Sequence, residues 1–335
     1  MGLRRTVTRG MRVQSENGSV VSSGMGRRGF LRSVGGAVAL ASLGGLVATG
    51  CDPDPQDGFG LTLTESNNTG RLRYFRFATD EIGWDPGVNV IVPHGYSVTA
   101  PKRYPVIYWL HGGLQDFRSF DADLLAVTEG RDVIVVMPDG GKAGWYSNPV
   151  STFAGPRNWE SFHINQLIPW IDANFRTYAE YDGRAVSGFS MGGFGALKYA
   201  AKYYGHFASV SSHSGPASLR RDGGVVVHWA NTSSAAVELN GGTIYGAPLW
   251  NEARVSADNP CERIPSFQDK RVFLVCGLGD DVNETPVRAG QREFRSLLTN
   301  AGIPHEWHEL DGTHFVRREM LQLDVDGAID RLRKP

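Results

Sequence analysis

The stretch Ala185-Val186-Ser187-Gly188-Phe189-Ser190-Met191-Gly192-Gly193 decides the fold. An apolar run ends near Gly188, and the residues after Gly193 predict a helix that continues to about position 204. A serine between such a strand and helix occupies a strained turn of positive φ, which lifts its hydroxyl above the edge of a sheet. Gly188 and Gly192 leave room for the strand and the helix to approach each other. Ser190 is therefore the candidate nucleophile.

Short apolar runs alternate with amphipathic segments on both sides of this turn, which is typical of a mostly parallel sheet with helices on both faces. Helices are predicted over about 159–174, 191–204 and 286–301. Arginines interrupt the first apolar run, so we expect the first two strands to form an antiparallel edge. The predicted strands are Leu72–Ala78, Val88–Val92, Val106–Leu110, Val133–Met137, Ala185–Gly188, Phe207–Ser212, Val272–Cys276 and His305–Glu309.

Length and composition predict one catalytic domain. The chain has 335 residues, of which 41% are hydrophobic and 21% charged, so it can bury one large core. We predict an export segment over 1–51, a linker over 52–70 and the catalytic domain over 71–335. Residues 215–266 are rich in Gly, Ser and Asn and too long for a plain connection, so we expect them to form a lid or pocket wall.

The first 51 residues carry a positive charge that the rest of the chain lacks. They hold seven arginines against one acid, Glu16. Residues 52–335 hold 27 basic and 34 acidic residues, a net charge of −7. This balance argues against nucleic acid or an anionic membrane as a partner of the folded domain.

The basic segment predicts export. Gly26-Arg27-Arg28-Gly29-Phe30-Leu31-Arg32 resembles the twin-arginine signal, and Met25 is then the candidate true start. The apolar run that follows is too short to span a bilayer. Ala48-Thr49-Gly50-Cys51 resembles a lipoprotein cleavage box, so Cys51 is a candidate for lipid attachment. The alternative is an ordinary cleavage site near Gly50. We expect an extracellular protein, or one that only a lipid at Cys51 anchors to the outer face of the membrane.

The candidate base is predicted from its order along the chain. In hydrolases with this serine turn the acid comes after the serine, and the histidine comes after the acid. His314 lies in the loop that follows the last predicted strand, whereas His305 and His308 alternate within that strand. His314 is therefore the candidate general base.

The acid should follow the strand Val272–Cys276, in the loop that opens with Gly277-Leu278-Gly279. Asp280 is the first choice for the residue that orients the imidazole. Asp281 and Glu284 are the alternatives, because a modest shift in the loop would present either carboxylate to the histidine.

A second loop is expected to bind the negative charge that develops on the substrate oxygen. His111-Gly112-Gly113 follows an apolar strand and resembles the loop that supplies one backbone donor in lipases and esterases. Gly113 or Leu114 is the candidate for that donor, and Met191 for the second.

With these residues in place, the sequence resembles the esterase family that contains esterase D and the mycobacterial mycolyltransferases of the antigen 85 group. The resemblance covers roughly residues 70 to 325 and implies the α/β-hydrolase fold, with a twisted, mostly parallel central sheet. It also implies that Trp145 and Tyr146 line an acyl pocket, although both could be core aromatics. Its most specific stretches are Met137-Pro138-Asp139-Gly140-Gly141, Gly144-Trp145-Tyr146-Ser147, Asn158-Trp159-Glu160-Ser161-Phe162, the serine turn and Gly312-Thr313-His314.

Two departures from the family favour an esterase over a mycolyltransferase. The family usually has an aromatic pair or a Trp soon after the final histidine, whereas this chain reads Phe315-Val316-Arg317-Arg318. The mycolyltransferases also take their acid from a helix, whereas Asp280 stands in a loop.

These residues predict an exported serine esterase that hydrolyses carboxylic esters through an acyl-enzyme on Ser190. One alternative is an acyltransferase that moves the acyl chain to a sugar or another alcohol. Another is a noncatalytic surface-binding lipoprotein that keeps the fold. The expected partner is a small-molecule or lipid ester, and no metal or organic cofactor is implied.

Overall fold

The computed structural model describes residues 52–335. The predicted export segment, with its twin-arginine motif and Cys51, lies outside these residues. One sheet of nine strands runs in the order β1-β2-β3-β5-β4-β6-β7-β8-β9. The strands are β1 Thr62–Asn67, β2 Leu72–Ala78, β3 Gly87–Ile91, β4 Val106–Leu110, β5 Ile134–Pro138, β6 Arg184–Phe189, β7 Ser209–His213, β8 Arg271–Gly277 and β9 Glu306–Leu310.

The sheet is parallel except at one edge. Strands β1, β2, β3 and β5 pair antiparallel in succession, and every pair from β5 through β4 to β9 is parallel. Every residue of β3 to β7 is buried. Because helices cover both faces of these strands, the strands are recognisable in the sequence. The predicted mostly parallel sheet with an antiparallel edge is confirmed.

Helices pack on both faces of this sheet. One apolar cluster includes residues of α1 and α8, and a larger one on the other side includes residues of α3, α4 and α5. Among residues 52–335, no helix is both long enough and apolar enough to cross a membrane. The helices are α1 Asp121–Val127, α2 Trp159–Ser161, α3 Ile168–Asn174, α4 Met191–Lys202, α5 Arg221–Val237, α6 Glu252–Asp258, α7 Glu284–Asn300 and α8 Arg318–Arg331.

The stretch 52–70 differs from the predicted linker, because its second half is β1. This strand pairs with β2 at the edge of the sheet, and most of its residues are exposed. The start of the stretch also packs on the domain, since Arg73 donates to Asp52 at 2.8 Å and only 7% of each side chain is exposed. An edge strand of polar residues carries little apolar signal, which is why the sequence did not predict it.

Residues 215–266, predicted to form a lid or pocket wall, contain α5 and α6. Positive φ angles at Asp222, Gly223 and Gly224 interrupt the start of α5. Two hydrogen bonds fix the rest of α5 against the loop after β5. Ser234 Oγ donates to the Ala143 carbonyl at 2.6 Å, and Trp145 Nε1 donates to Ser233 Oγ at 3.0 Å. Helix α5 is therefore attached to the loop that follows β5.

Candidate active site

Ser190 occupies a tight turn between β6 and α4, with φ 54° and ψ −118°. A Cβ at Gly188 would overlap the Gly192 carbonyl, and one at Gly192 would overlap the Leu110 carbonyl. The Ser190 amide donates to the His213 carbonyl of β7 at 2.9 Å, which ties the turn to the sheet. The structure thus shows the strained serine turn that the sequence predicts, and both glycines are needed for close backbone approach.

His314 lies in the loop between β9 and α8, and its Nε2 is 2.7 Å from Ser190 Oγ. Its ring packs against Phe189, with ring centroids 5.0 Å apart. His305 instead contacts the Ile303 carbonyl, and His308 packs on Phe273. The structure therefore brings His314, and neither of the two strand histidines, to the serine.

The carboxylate that contacts the His314 imidazole is Glu284, the first residue of α7, whereas Asp281 accepts only the His314 backbone amide, at 3.3 Å. Glu284 Oε2 lies 2.6 Å from His314 Nδ1, and its side chain is fully buried. Its Oε1 accepts hydrogen bonds from Ser214 Oγ at 2.9 Å and from the Gly277 amide. The carboxylate is held on both oxygens and can orient the imidazole.

Asp280, the first choice from the sequence, does not contact His314. Its side chain is 81% exposed and pairs with Arg288 at 2.5 Å. Asp281 accepts the amides of Asn283 and Glu284, each at 2.7 Å, and so caps the start of α7. Because α7 begins at Glu284 and not at the predicted Pro286, the helix carries Glu284 to the imidazole while Asp280 stays in the exposed loop.

With Glu284 as the acid, one of the two departures from the family disappears. The acid lies on a helix and not in the loop before it, so the position of the acid no longer separates this chain from the mycolyltransferases. A sequence signal for Glu284 exists. An acidic residue followed three positions later by Glu is a capping pattern, and Asp281 and Glu284 have this spacing.

Gly113 and Met191 remain the candidate oxyanion donors. Both line the same cavity as Ser190 and His314. Met191 opens α4, so its amide is one of those without an intrahelical acceptor. The Leu114 amide already donates to the Lys142 carbonyl at 2.7 Å. Within residues 52–335 no acceptor is bound to the Gly113 amide, which favours Gly113 over Leu114.

His111 shapes this loop without reaching the serine. The side chain is buried, and its Nε2 accepts the Gly140 amide at 2.9 Å. Its Nδ1 must then carry the proton, which it donates to the Gly112 carbonyl at 2.8 Å. His111 thereby joins the loop after β4 to the loop after β5.

A cavity of about 340 Å³ opens beside Ser190. Most of its wall is apolar, and neither Asp nor Glu is among its lining residues. From α5 it receives Trp229, Ser233, Ala236 and Val237, none of which the sequence singled out, because the segment is weakly periodic. The remaining lining residues are Gly113, Leu114, Gln115, Lys142, Ala143, Trp145, Phe189, Ser190, Met191, Asn283 and His314.

Trp145 and Tyr146 have different positions, although the resemblance implicated both. Trp145 lines the cavity, and its ring meets Trp229 edge to face, with centroids 5.3 Å apart. Tyr146 is fully buried outside the cavity lining and donates its hydroxyl to the His111 carbonyl at 2.8 Å. Trp145 can contact a substrate, whereas Tyr146 is a core residue.

The chain belongs to the esterase family, because the family model described as putative esterase matches residues 79–322. The protein described as Esterase Rv1288 of Mycobacterium tuberculosis is 66% identical over 288 residues, which are 83% of this chain and 63% of that protein. This chain therefore spans less than two thirds of that relative's length. The MPT51 antigen of Mycobacterium leprae is 32% identical over 136 residues, 38% of this chain and 42% of that protein.

Solved structures share the fold. An S-formylglutathione hydrolase from Agrobacterium tumefaciens superposes with a TM-score of 0.64 at 16% identity, covering 81% of this chain and 99% of that one. Mycobacterium tuberculosis MPT51 gives 0.63 at 19% identity, covering 76% and 97%. The predicted α/β-hydrolase fold and the resemblance to the esterase family are confirmed. In residues 52–335, no group of three or more His, Cys, Asp or Glu side chains is arranged to bind a metal.

Proposed function

We propose that this protein is a serine esterase that hydrolyses carboxylic esters through an acyl-enzyme on Ser190. The observation that carries the proposal is the continuous hydrogen-bond chain from Ser190 Oγ to His314 and on to Glu284, with distances of 2.7 and 2.6 Å. Such a chain lets the serine lose its proton as it attacks a carbonyl carbon.

In the first half of the reaction, Ser190 Oγ attacks the ester carbonyl and its proton passes to His314 Nε2. The oxyanion that forms is bound by the Gly113 amide and by the Met191 amide. Met191 opens α4, where the helix dipole favours negative charge. The imidazolium then gives its proton to the leaving alcohol. Water enters, His314 accepts one of its protons, and the same steps release the acid and regenerate Ser190.

Glu284 is suited to stabilise the imidazolium. Its side chain is fully buried, and among residues 52–335 its one ionic contact is His314. A positive charge that forms on the imidazole therefore faces a carboxylate that no Lys or Arg side chain neutralises. In a site shielded from water such a pair interacts more strongly than it would at the surface.

The cavity supports esters with an apolar acyl group. Its walls carry Trp145, Trp229 and Val237, and Lys142 is its one lysine or arginine. Relatives with this fold include a ferulic acid esterase and S-formylglutathione hydrolases, so their names do not identify one substrate. An apolar acyl chain gains free energy when it moves from water to this apolar wall.

Acyl transfer to an alcohol is the second candidate. The similarity to MPT51 antigens and the position of the acid on a helix support it. Hydrolysis and transfer share every step up to the acyl-enzyme and differ in the molecule that attacks it. The complete set of Ser190, His314 and Glu284 speaks against a noncatalytic binding protein.

Hydrolysis of p-nitrophenyl esters of increasing chain length tests this proposal, with and without a sugar or glycerol as acceptor. Wild-type protein should hydrolyse them, and Ser190→Ala should lose at least about 10³-fold in kcat. Formation of a new ester with the added alcohol would identify a transferase. Equal rates for wild type and Ser190→Ala would overturn the proposal.

We also propose that the protein is exported by the twin-arginine route and is anchored by a lipid at Cys51. The motif at Arg27 and Arg28 and the Ala48–Cys51 box support this. Replacing both arginines by lysine should retain precursor in the cytoplasm, and unchanged secretion would exclude the route. Cys51→Ser should release the exported protein from the detergent phase, and unchanged partition would exclude the anchor.

A further inference from the structure

Glu238 is a buried carboxylate that contacts the loop beside the oxyanion site. It follows the last residue of α5, and 6% of the residue is exposed. Its Oε2 accepts the Lys142 amide at 2.9 Å and the Ala143 amide at 3.4 Å. Its Oε1 accepts Trp159 Nε1 at 3.0 Å. One carboxylate thus fixes two consecutive peptides of the loop after β5.

The same loop holds the backbone that carries the oxyanion donor. The Lys142 carbonyl accepts the Leu114 amide at 2.7 Å, and Leu114 has a φ of 62°. This hydrogen bond sets the orientation of the peptide directly after Gly113. Residue 142 therefore connects Glu238 to the turn that aims the Gly113 amide. The Lys142 N–H donates to Glu238, and the Lys142 C=O accepts the Leu114 amide of that turn.

The sequence around this contact leaves room for it. Gly141 has a φ of 71°, and a Cβ there would overlap Glu238 Oε1. Gly141 and Trp159 belong to two of the stretches on which the family resemblance rests, and both meet at Glu238. Gly141 leaves space for the Glu238 carboxylate, and Trp159 donates a hydrogen bond to it, so both stretches hold this carboxylate against the loop after β5.

The groups around Glu238 shift the pKa of its carboxyl group in opposite directions. Burial raises the pKa of Glu238, and Asp139 acts in the same direction. The hydrogen bonds from Trp159 and the Ala143 amide oppose this, as does Arg157, whose Nε lies 3.8 Å from Oε1. The Lys142 ammonium is directed elsewhere, toward the carbonyls of Leu114 and Gln115. In its ionised form the carboxylate accepts on both oxygens, as three N–H donors require.

We propose that Glu238 is a positioning residue for the oxyanion hole. Glu238 accepts the Lys142 amide and so holds residue 142, whose carbonyl holds the Leu114 amide. The peptide between Gly113 and Leu114 then sets the direction of the Gly113 N–H toward the oxygen of the carbonyl that Ser190 attacks. The inference rests on the proposed esterase function. It differs from a role in substrate binding, because an oxyanion donor acts on the transition state more than on the bound ester.

Glu238→Gln tests this, with the exposed Glu252→Gln as matched control. The amide keeps the shape of the carboxylate but replaces one accepting oxygen by NH₂, so either the two loop amides or Trp159 Nε1 must face another donor. In both orientations the negative charge that holds the loop amides is lost. A lost oxyanion donor typically costs about 10²–10³ in rate, and we expect a misaimed one to lower kcat about tenfold or more. KM for p-nitrophenyl acetate should change less than about threefold, and Glu252→Gln should match wild type.

An aliphatic trifluoromethyl ketone supplies a second readout. Ser190 adds to its carbonyl, the serine proton passes to His314, and the resulting oxyanion lies in the hole. Its inhibition constant should rise in Glu238→Gln by the same factor as kcat/KM falls. The matching methyl ketone, which adds less readily, should bind both proteins alike. Gly141→Ala, which crowds the carboxylate, should reproduce the effect and serves if Glu238→Gln fails to fold.

Unchanged kcat and trifluoromethyl ketone inhibition in a folded Glu238→Gln or Gly141→Ala protein would overturn the inference. A rise in KM alone would overturn it too, because the carboxylate would then only support the wall of the cavity. Hydrolysis by wild type and its loss in Ser190→Ala report on the proposed function separately, so the two failures are distinguishable.

Discussion

Replacing Glu284 by Gln is the perturbation that the geometry makes most informative. The carboxylate uses Oε2 for His314 Nδ1 and Oε1 for the Gly277 amide and the Ser214 hydroxyl. A Gln side chain has one accepting oxygen and one donating NH₂ group. It cannot satisfy both ends of this arrangement in either orientation.

Each orientation of the amide harms the reaction in its own way. If the oxygen faces His314, the NH₂ group faces the Gly277 N–H, and two donors oppose each other in a buried site. If the NH₂ group faces His314, Nδ1 must be the unprotonated nitrogen. Nε2 then carries the proton and cannot accept the one from Ser190. In both cases the negative charge that stabilises the imidazolium is gone.

We expect Glu284→Gln to lower kcat for p-nitrophenyl acetate by about 10³–10⁴-fold, or roughly 4–5.5 kcal/mol of transition-state stabilisation. Asp280→Asn is the matched control, because that carboxylate is 81% exposed and pairs with Arg288. It should stay within about threefold of wild type, since solvent and salt screen an exposed charge. A kcat of Glu284→Gln close to wild type, together with a large loss in Asp280→Asn, would refute the assignment of the acid.

Four further outcomes are expected. His314→Ala should lower kcat at least about 10³-fold with an unchanged circular dichroism spectrum, and a smaller loss would point to another base. Asp281→Ala should lower the free energy of unfolding by about 1 kcal/mol in urea titration, because α7 loses its cap, and an unchanged midpoint would exclude that role. Trp229→Ala should lower kcat/KM more for octanoate than for acetate esters, and equal losses would remove Trp229 from the acyl site. Burial lowers the pKa of His163 to about 4, so the unfolded chain binds the extra proton and stability falls from about pH 6.5 to pH 4. In His163→Gln the difference between urea midpoints at pH 7 and 4.5 should shrink, and an unchanged difference would contradict the buried neutral histidine.

The sequence predicts the buried part of the sheet because β4, β5 and most of β8 are apolar runs, although the buried strand β7 reads Ser209-Val210-Ser211-Ser212-His213. Strand β1 was missed because it is a polar, exposed edge. Helix α8 was missed although Leu321, Val325 and Ala328 have helical spacing. Its buried face also carries Asp324, which accepts from Ser187 Oγ at 2.7 Å and contacts His213 at 3.0 Å. A buried, hydrogen-bonded carboxylate on the apolar face weakens the pattern that sequence reasoning uses.

The catalytic residues could be predicted from the sequence where the reaction or the backbone requires a particular residue type. They were harder to predict where the conformation of a loop determines which side chain reaches the site. Glycine is required two positions before and after Ser190 because a Cβ at either position would overlap the backbone. The order of the elements restricts the base to His314. The acid depends on where α7 begins, which Asp281 determines through its cap. The role of α5 in the cavity depends on contacts between residues far apart in sequence, so no local pattern reports it.

Labelling with a fluorophosphonate probe tests the central claim most directly, because the probe phosphonylates a serine only when a neighbouring base activates it. Peptide mass spectrometry should place a single adduct on Ser190 of the folded wild-type protein. Labelling should disappear in Ser190→Ala and slow strongly in His314→Ala and Glu284→Gln. A folded wild-type protein that remains unlabelled, or an adduct that persists in Ser190→Ala, would contradict the claim that Ser190, His314 and Glu284 form the catalytic site.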